Sequence, residues 1–286
     1  MRSVLVHRLL MAVMTVVAGG FISATLVRYA PGFGTDERQL DARLSSQSIQ
    51  AIRDEASEER SIVAYYAGSL RRALNGDLGN SRTLQRPVRA LLAERGMVTL
   101  GMAGKGLGAA WLAAALLVFA TWLLRSPALE SACTICSGTL LCLPAGAVAL
   151  LLILMNGPAY LALAVVVFPK VHRYLNNLVR VTTRMPHIIT AKAKGISGTR
   201  ILFWHVVPVI RREVAALAGV SVGLAISAAI PVEALSGIPG VGQLAWQAAL
   251  ARDLPVLINV SLLVIACTVL ANSGADLLGE DGRQPS

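Results

Sequence analysis

Residues 189–209 read ITAKAKGISGTRILFWHVVPV, a basic, Gly-interrupted stretch set directly before one of the most apolar runs in the chain. Its first half is too polar to cross lipid. Its apolar residues are nevertheless too frequent for a freely solvated tail. The stretch therefore reads as a surface element that docks on another body and leads into a membrane-crossing helix.

The rest of the chain agrees. Of its 286 residues 55% are hydrophobic and 15% charged, the mean hydropathy is +0.63, and several apolar runs approach the roughly 20 residues that cross hydrocarbon. This argues against one large soluble core and predicts an all-α polytopic membrane protein. The 26 Lys and Arg exceed the 16 Asp and Glu, for a net charge of +10. They cluster beside apolar spans, the pattern of a cytoplasmic membrane face and not of a nucleic-acid-binding surface. Cys133, Cys136, Cys142 and Cys267 all lie in apolar segments. The CTIC at 133–136 lacks the further ligands of a zinc site and the accessible, stabilised thiolate of a redox pair, so all four are expected as buried packing residues.

Six spans can be traced. The first apolar run, 9–27 (LLMAVMTVVAGGFISATLV), follows Arg2, His7 and Arg8. It is long enough to cross and lacks a cleavage signature, so 1–30 is expected as an uncleaved N-terminal transmembrane helix. Residues 31–92 hold eight Asp or Glu and nine Arg and are rich in helix formers around 47–75, which predicts an extracytoplasmic segment of short helices. The remainder, 93–286, is the transmembrane core. Its spans are expected at 98–124, at 132–155 with a bend at Pro144, in the fourth element after the Asn156-Gly157-Pro158 turn, at 214–230 ending at Pro231, and at 255–278. The fourth is short on apolar residues before Pro169, Lys170, His172 and Arg173, so neighbouring helices are expected to shield it from lipid. Segment 170–212 holds nine Lys or Arg and no Asp or Glu. The positive-inside rule and the parity of six spans place it, and both termini, in the cytoplasm.

No catalytic constellation competes. His7, His172, His187 and His205 are scattered, and there is no H-E-x-x-H, G-x-S-x-G or G-x-x-x-x-G-K-[ST]. Any ATP-driven step belongs to another chain.

The opening stretch resembles the cytoplasmic EAA loop of binding-protein-dependent ABC transporter permeases, written Glu-Ala-Ala, three residues, Gly, nine residues, Ile, one residue, Leu-Pro. With Gly195 on the motif's Gly, Thr190 and Ala191 fall on the alanines, His205 on Ile, Val207 on Leu and Pro208 on Pro. Ile189 stands where the motif has Glu. TAKAKGIS nonetheless resembles the R-T-A-x-A-K-G-L-S form of the oligopeptide, dipeptide and nickel permease branch. YAPG at 29–32, GDLGNS at 76–81 and EALSGIPGVGQLAWQAALARDLPVL at 233–257 resemble further stretches of that branch in the same order. CLPAGA and MNGPAY depart from it, at positions that shape the pathway or its outer vestibule.

The resemblance implies a permease subunit, itself no enzyme and without cofactor, in the bacterial inner membrane. It implies a related or identical second permease, two ATP-binding ABC subunits that use ATP and Mg, and an extracytoplasmic solute-binding protein, with surrounding lipid and no nucleic acid as other contacts. Peptides or related small solutes are the implied cargo. Thr190, Ala191, Lys192, Ala193, Lys194, Gly195 and Pro208 are the implied ATPase-coupling residues. Physically, Ala191 and Ala193 permit close approach, Lys192 and Lys194 offer charge, and Gly195 permits a turn. An interfacial helix touching anionic lipid is the alternative.

Glu233, Pro239, Gly240, Gly242, Arg252 and Asp253 are the implied outer gate or vestibule residues. Segment 236–242 reads either as a re-entrant turn or gate element or as a plain loop. Glu233, near membrane depth, is expected to face a cavity and not lipid. Arg252 and Asp253 either pair to position the loop or form an ordinary solvated ion pair. A polytopic membrane enzyme or a non-transporting structural membrane protein are the alternative classes.

Overall fold

The computed structural model describes residues 2–29 and 62–280. YAPG beyond Tyr29, the segment to residue 61 and the extreme C-terminus lie outside the described residues. All regular elements among the described residues are helical. We number them α1 (Arg2–Tyr29), α2 (Ile62–Leu74), α3 (Val88–Leu124), α4 (Pro127–Leu141), α5 (Ala145–Leu154), α6 (Ala159–Thr182), α7 (Pro186–Ala193), α8 (Gly198–Ile201), α9 (Val207–Ser236), α10 (Val241–Leu250) and α11 (Leu254–Glu280). A π-helical turn, Leu202–Val206, joins α8 to α9.

Among the described residues three helical runs are long and apolar enough to cross a membrane: Val88–Leu124, Gly198–Ser236 and Leu254–Gly274. A fourth crossing is available only if α4 and α5, bent by 100° to each other, count together. The single bent span expected at 132–155 is thus two short helices. Pro144 is the N-cap of α5 and lacks an N–H, and a residue before Pro is pushed out of helical geometry, so the break is a turn and not a kink. The expected end of the fifth span at Pro231 also moves. α9 runs through Pro231 to Ser236 and stops at Gly237, whose φ of +65° turns its N–H back to the Glu233 carbonyl. Such a stop needs no proline, and membrane helices tolerate interior ones.

α6 is 24 residues long and amphipathic. Ala164, Val167, Val171, Leu175 and Val179 form one buried stripe, with spacing of three or four residues that puts them on one helix face. Lys170, Arg173, Asn177 and Arg180 face away from it and are exposed. The expected shielding therefore covers His172, which is 1% exposed and stacks on Phe168, but not Lys170 or Arg173 within this chain. Of the cysteines only Cys133 is buried; Cys136 is exposed on α4, Cys142 is exposed in the turn that follows it, and Cys267 is intermediate.

The chain divides into two compact units. In the first, built from residues up to 97 and 244–266, Gly19 and Gly20 of α1 lie against Ile265 and Leu262 of α11, where any Cβ would collide. Tyr66 of α2 packs edge-on against Phe21 and donates to the Val17 carbonyl at 2.8 Å. In the second, residues 98–243 and the chain after 266, α6 is the hub. Gly106 of α3 sits where a Cβ would lie 2.6 Å from the Leu163 Cβ, and the Trp111 indole N–H donates to Ser221 Oγ at 3.0 Å. Small residues at helix contacts suit a medium that offers no hydrophobic drive between helices, because they allow close backbone packing.

Candidate functional site

The basic segment folds as a short helix with a defined stop. α7 starts with Pro186 in its first turn, where a missing N–H costs nothing. Ile188 and Ala191, three residues apart, are buried in the core of the second unit. Ile189, Thr190, Lys192, Ala193 and Lys194 are exposed. The two alanines thus separate: Ala191 packs inward and Ala193 faces out.

The stop is a Schellman arrangement. Lys194 is the C-cap, Gly195 has φ +75°, its N–H donates to the Lys192 carbonyl at 3.0 Å, and the Ile196 N–H donates to the Ala191 carbonyl at 3.3 Å. A Cβ at Gly195 would meet no atom within 4 Å. The requirement for glycine is therefore backbone conformation, not space.

Past Gly195 the chain enters α8 and the π turn, whose extra residue per turn lets the Val207 N–H reach the Leu202 carbonyl. The turn absorbs Pro208, which cannot donate inside a regular helix. Trp122, at the end of α3, completes the site and was not legible as a member of it. Its indole N–H donates to the Gly198 carbonyl at 3.2 Å, and the Lys192 Nζ stands 5.9 Å from its ring centroid. The one signal was a tryptophan at the end of an apolar span.

A second cluster forms where α9 gives way to α10. Glu233 is fully buried and its Oε2 accepts from the Gly242 N–H at 2.7 Å. The Thr99 hydroxyl also hydrogen-bonds this carboxylate, and Thr99 Oγ1 accepts from the Val241 N–H at 2.9 Å. The first turn of α10 is thus capped by side chains from elsewhere, an acid at the positive helix end.

The glycines follow from this packing. A Cβ at Gly240 would fall on the Glu233 carboxylate, and one at Gly242 would lie 2.7 Å from the Ile230 carbonyl oxygen. Pro239 occupies the exposed apex of the turn. Within this chain the Glu233 carboxylate packs against the 240–242 backbone. Glu233 Oε1 has no hydrogen-bond partner.

Asp253 belongs to a third cluster, in the first unit. It is 2% exposed and is the N-cap of α11: Oδ1 accepts from the Val256 N–H at 3.4 Å. Its Oδ2 accepts from Ser81 Oγ at 2.6 Å and the Thr83 N–H at 3.0 Å. Asn259, further along the same helix, donates to the Leu78 carbonyl at 3.0 Å. The GDLGNS stretch, folded by a Gly79-to-Asp77 side-chain bond and an Asn80–Pro87 bridge, is therefore clamped to the start of α11. Neither reading of the Arg252–Asp253 pair anticipated this. Arg252 adopts φ +56° and is exposed.

No group of three or more His, Cys, Asp or Glu among the described residues is placed to hold a metal ion. The helical architecture and apolar runs define a polytopic membrane protein, and the comparisons with known proteins give its class. Residues 106–280 match the family of binding-protein-dependent transport system inner membrane components, and the chain belongs to that family.

It is 25% identical over 301 residues to a protein of Brucella suis biovar 1 named "Putative peptide permease protein", covering 95% of this chain and 94% of that one. Over shorter stretches it is 34% identical to the di/tripeptide transport system permease protein DppB of Pseudomonas aeruginosa (33% of this chain, 28% of that one). It is 36% identical to the oligopeptide transport system permease protein OppB of Haemophilus influenzae (32% and 30%). The chain is a multi-pass permease subunit of an ABC transporter in the bacterial inner membrane, a transport component and not an enzyme.

Proposed function

We propose that this permease imports peptides or related small solutes and is driven through α7, which docks on a separate ATPase. The observation that carries the reading is the capped helix itself. It buries Ile188 and Ala191 in the core and presents Thr190, Lys192, Ala193 and Lys194 outward. Segment 170–212, around it, contains no acidic residue. A short rigid knob tied into the bundle transmits displacement, whereas a loose tail does not.

In this reading two ABC subunits bind ATP and Mg, a second permease completes the path, and a solute-binding protein delivers cargo on the far side. The cargo class is drawn from the peptide permeases the chain is similar to. Six crossings with both termini cytoplasmic are proposed, with 1–30 as the first span, 31–92 outside and 93–286 as the core. α6 then crosses with its Lys170–Arg180 face against the path or the second permease, since lipid would not accept it. Glu233, Pro239, Gly240 and Gly242 form an element near the outer mouth, and the Asp253 clamp, with Arg252 next to it in sequence, holds the GDLGNS segment to α11.

The test is ATP hydrolysis by the reconstituted complex with receptor and cargo. Gly195→Val forces a β-branched residue to φ +75°, at a cost of roughly 1–2 kcal/mol, and unwinds the end of α7. Membrane insertion should persist while cargo-stimulated hydrolysis and ATPase co-purification fall sharply. Lys192→Glu should weaken co-purification more mildly and in a salt-dependent way. Unchanged assembly and stimulation in Gly195→Val would remove the coupling role from α7.

A further inference from the structure

The end of α3 and the start of α8 enclose a cleft of about 280 Å³ lined by Trp122, Leu123, Arg125, Gly198 and Thr199. Arg125 leaves α3 with φ +48°. Its Nη2 lies 3.2 Å from where a Gly198 Cβ would stand, so the guanidinium reaches over Gly198 because no side chain is there. Lys192 stands over the Trp122 ring and Arg200 follows Thr199 in sequence, and no acidic side chain among the described residues forms an ion pair with Arg125, Lys192 or Arg200. A guanidinium without an acidic partner among the described residues suits an anion, and the planar fork of Arg matches a phosphate.

The surroundings identify which anion. One helix apolar enough to cross a membrane ends at Leu124 and another begins at Gly198, so the cleft lies between the ends of two such helices. Leu123 lines it and its neighbour Leu124 is 64% exposed, and Phe203, whose ring lies 6.0 Å from that of Phe119 on α3, is 58% exposed. Aromatic residues beside basic ones at the end of a span are the signature of headgroup depth. We infer that this cleft binds the phosphate of an anionic phospholipid headgroup, with Arg125 as the principal ligand and Trp122 as the wall. The inference rests on the proposed orientation for its choice of the cytoplasmic leaflet.

Because Trp122 also bonds Gly198 and carries Lys192 over its ring, the bound lipid braces the base of the α7 knob. The cleft is thus a site through which membrane composition acts on coupling.

Native mass spectrometry of the purified full-length permease complex, titrated with phosphatidylglycerol or phosphatidylcholine, tests this. Phosphatidylglycerol should be retained in preference. Arg125→Gly, which removes the guanidinium while relieving the positive φ, should lower its retention roughly fivefold, as expected for one basic contact, and leave phosphatidylcholine unchanged. Gly198→Val, which displaces the guanidinium, should act in the same direction. Millimolar inorganic phosphate should not displace the lipid, and displacement would assign the cleft to a free anion and overturn the proposal. Equal retention of the two lipids, or full phosphatidylglycerol retention in Arg125→Gly, would also overturn it. Loss of the ATPase with lipid retention intact would reassign the cleft to that partner. Cargo-stimulated ATP hydrolysis, measured in parallel, reports separately on the permease reading.

Discussion

At the residue scale, glycines and acids in this chain carry different constraints that look alike in sequence. Gly195 is required for its φ, Gly240 for the carboxylate that lies on it, and Gly242 for a backbone carbonyl. Spacing in the basic loop pointed to Gly195, and the Schellman bonds supply the reason. Nothing local to Gly240 and Gly242 announced Glu233 as the group pressed against them. Asp253 makes the same point for acids, since beside Arg252 it reads as half of a surface pair, and folding turns it onto Ser81 and Thr83. Asp253→Ala removes an N-cap and strands a buried hydroxyl and an amide. It should destabilise the purified protein by on the order of 3 kcal/mol, visible as a lowered thermal midpoint, with Asp253→Asn intermediate. A midpoint unchanged in Asp253→Ala would mean the clamp contributes nothing.

At the element scale, hydropathy located helices well where lipid is the surrounding medium and poorly where protein is. α3, α9 and α11 are read correctly because a long apolar run has few other uses. α6 was the weak case, and its structure shows why. Only one stripe is apolar because only that stripe is buried, while Lys170, Arg173, Asn177 and Arg180 share the other face. Window averages mix the two faces and miss the division. Cysteine replacements in a cysteine-free background should follow it. A membrane-impermeant thiol reagent should label position 173 in the assembled transporter if that face lines water, and leave position 171 unreacted. Equal reaction at both sites would mean α6 lies outside the bundle and that the proposed crossing is wrong. The bend between α4 and α5 has a different origin: Pro144 marked it, but its 100° angle is set by what each half packs against.

At the scale of the whole molecule, orientation is the property on which the transport reading depends. Segment 170–212 is wholly basic among its charged residues, and charge asymmetry is the term that orients short loops. In intact cells a cysteine at Ser45 should react with an impermeant reagent added from the outside, while one at Ser197, which is exposed, should react only after permeabilisation. The reverse pattern would overturn the proposed topology. The sequence by itself determined that this is a helical membrane protein, which segment is its basic, glycine-interrupted element, and the family to which it belongs. Those properties depend on composition, on charge along the chain and on local backbone demands such as a glycine at positive φ. Only the tertiary structure decided that Trp122 supports α7, that Glu233 caps α10, and that Asp253 clamps the GDLGNS turn, since these are pairings of residues up to 172 positions apart. A buried polar group must find a partner or lose its hydration uncompensated, and which partner it finds depends on how the helices pack, a property no local window of sequence contains.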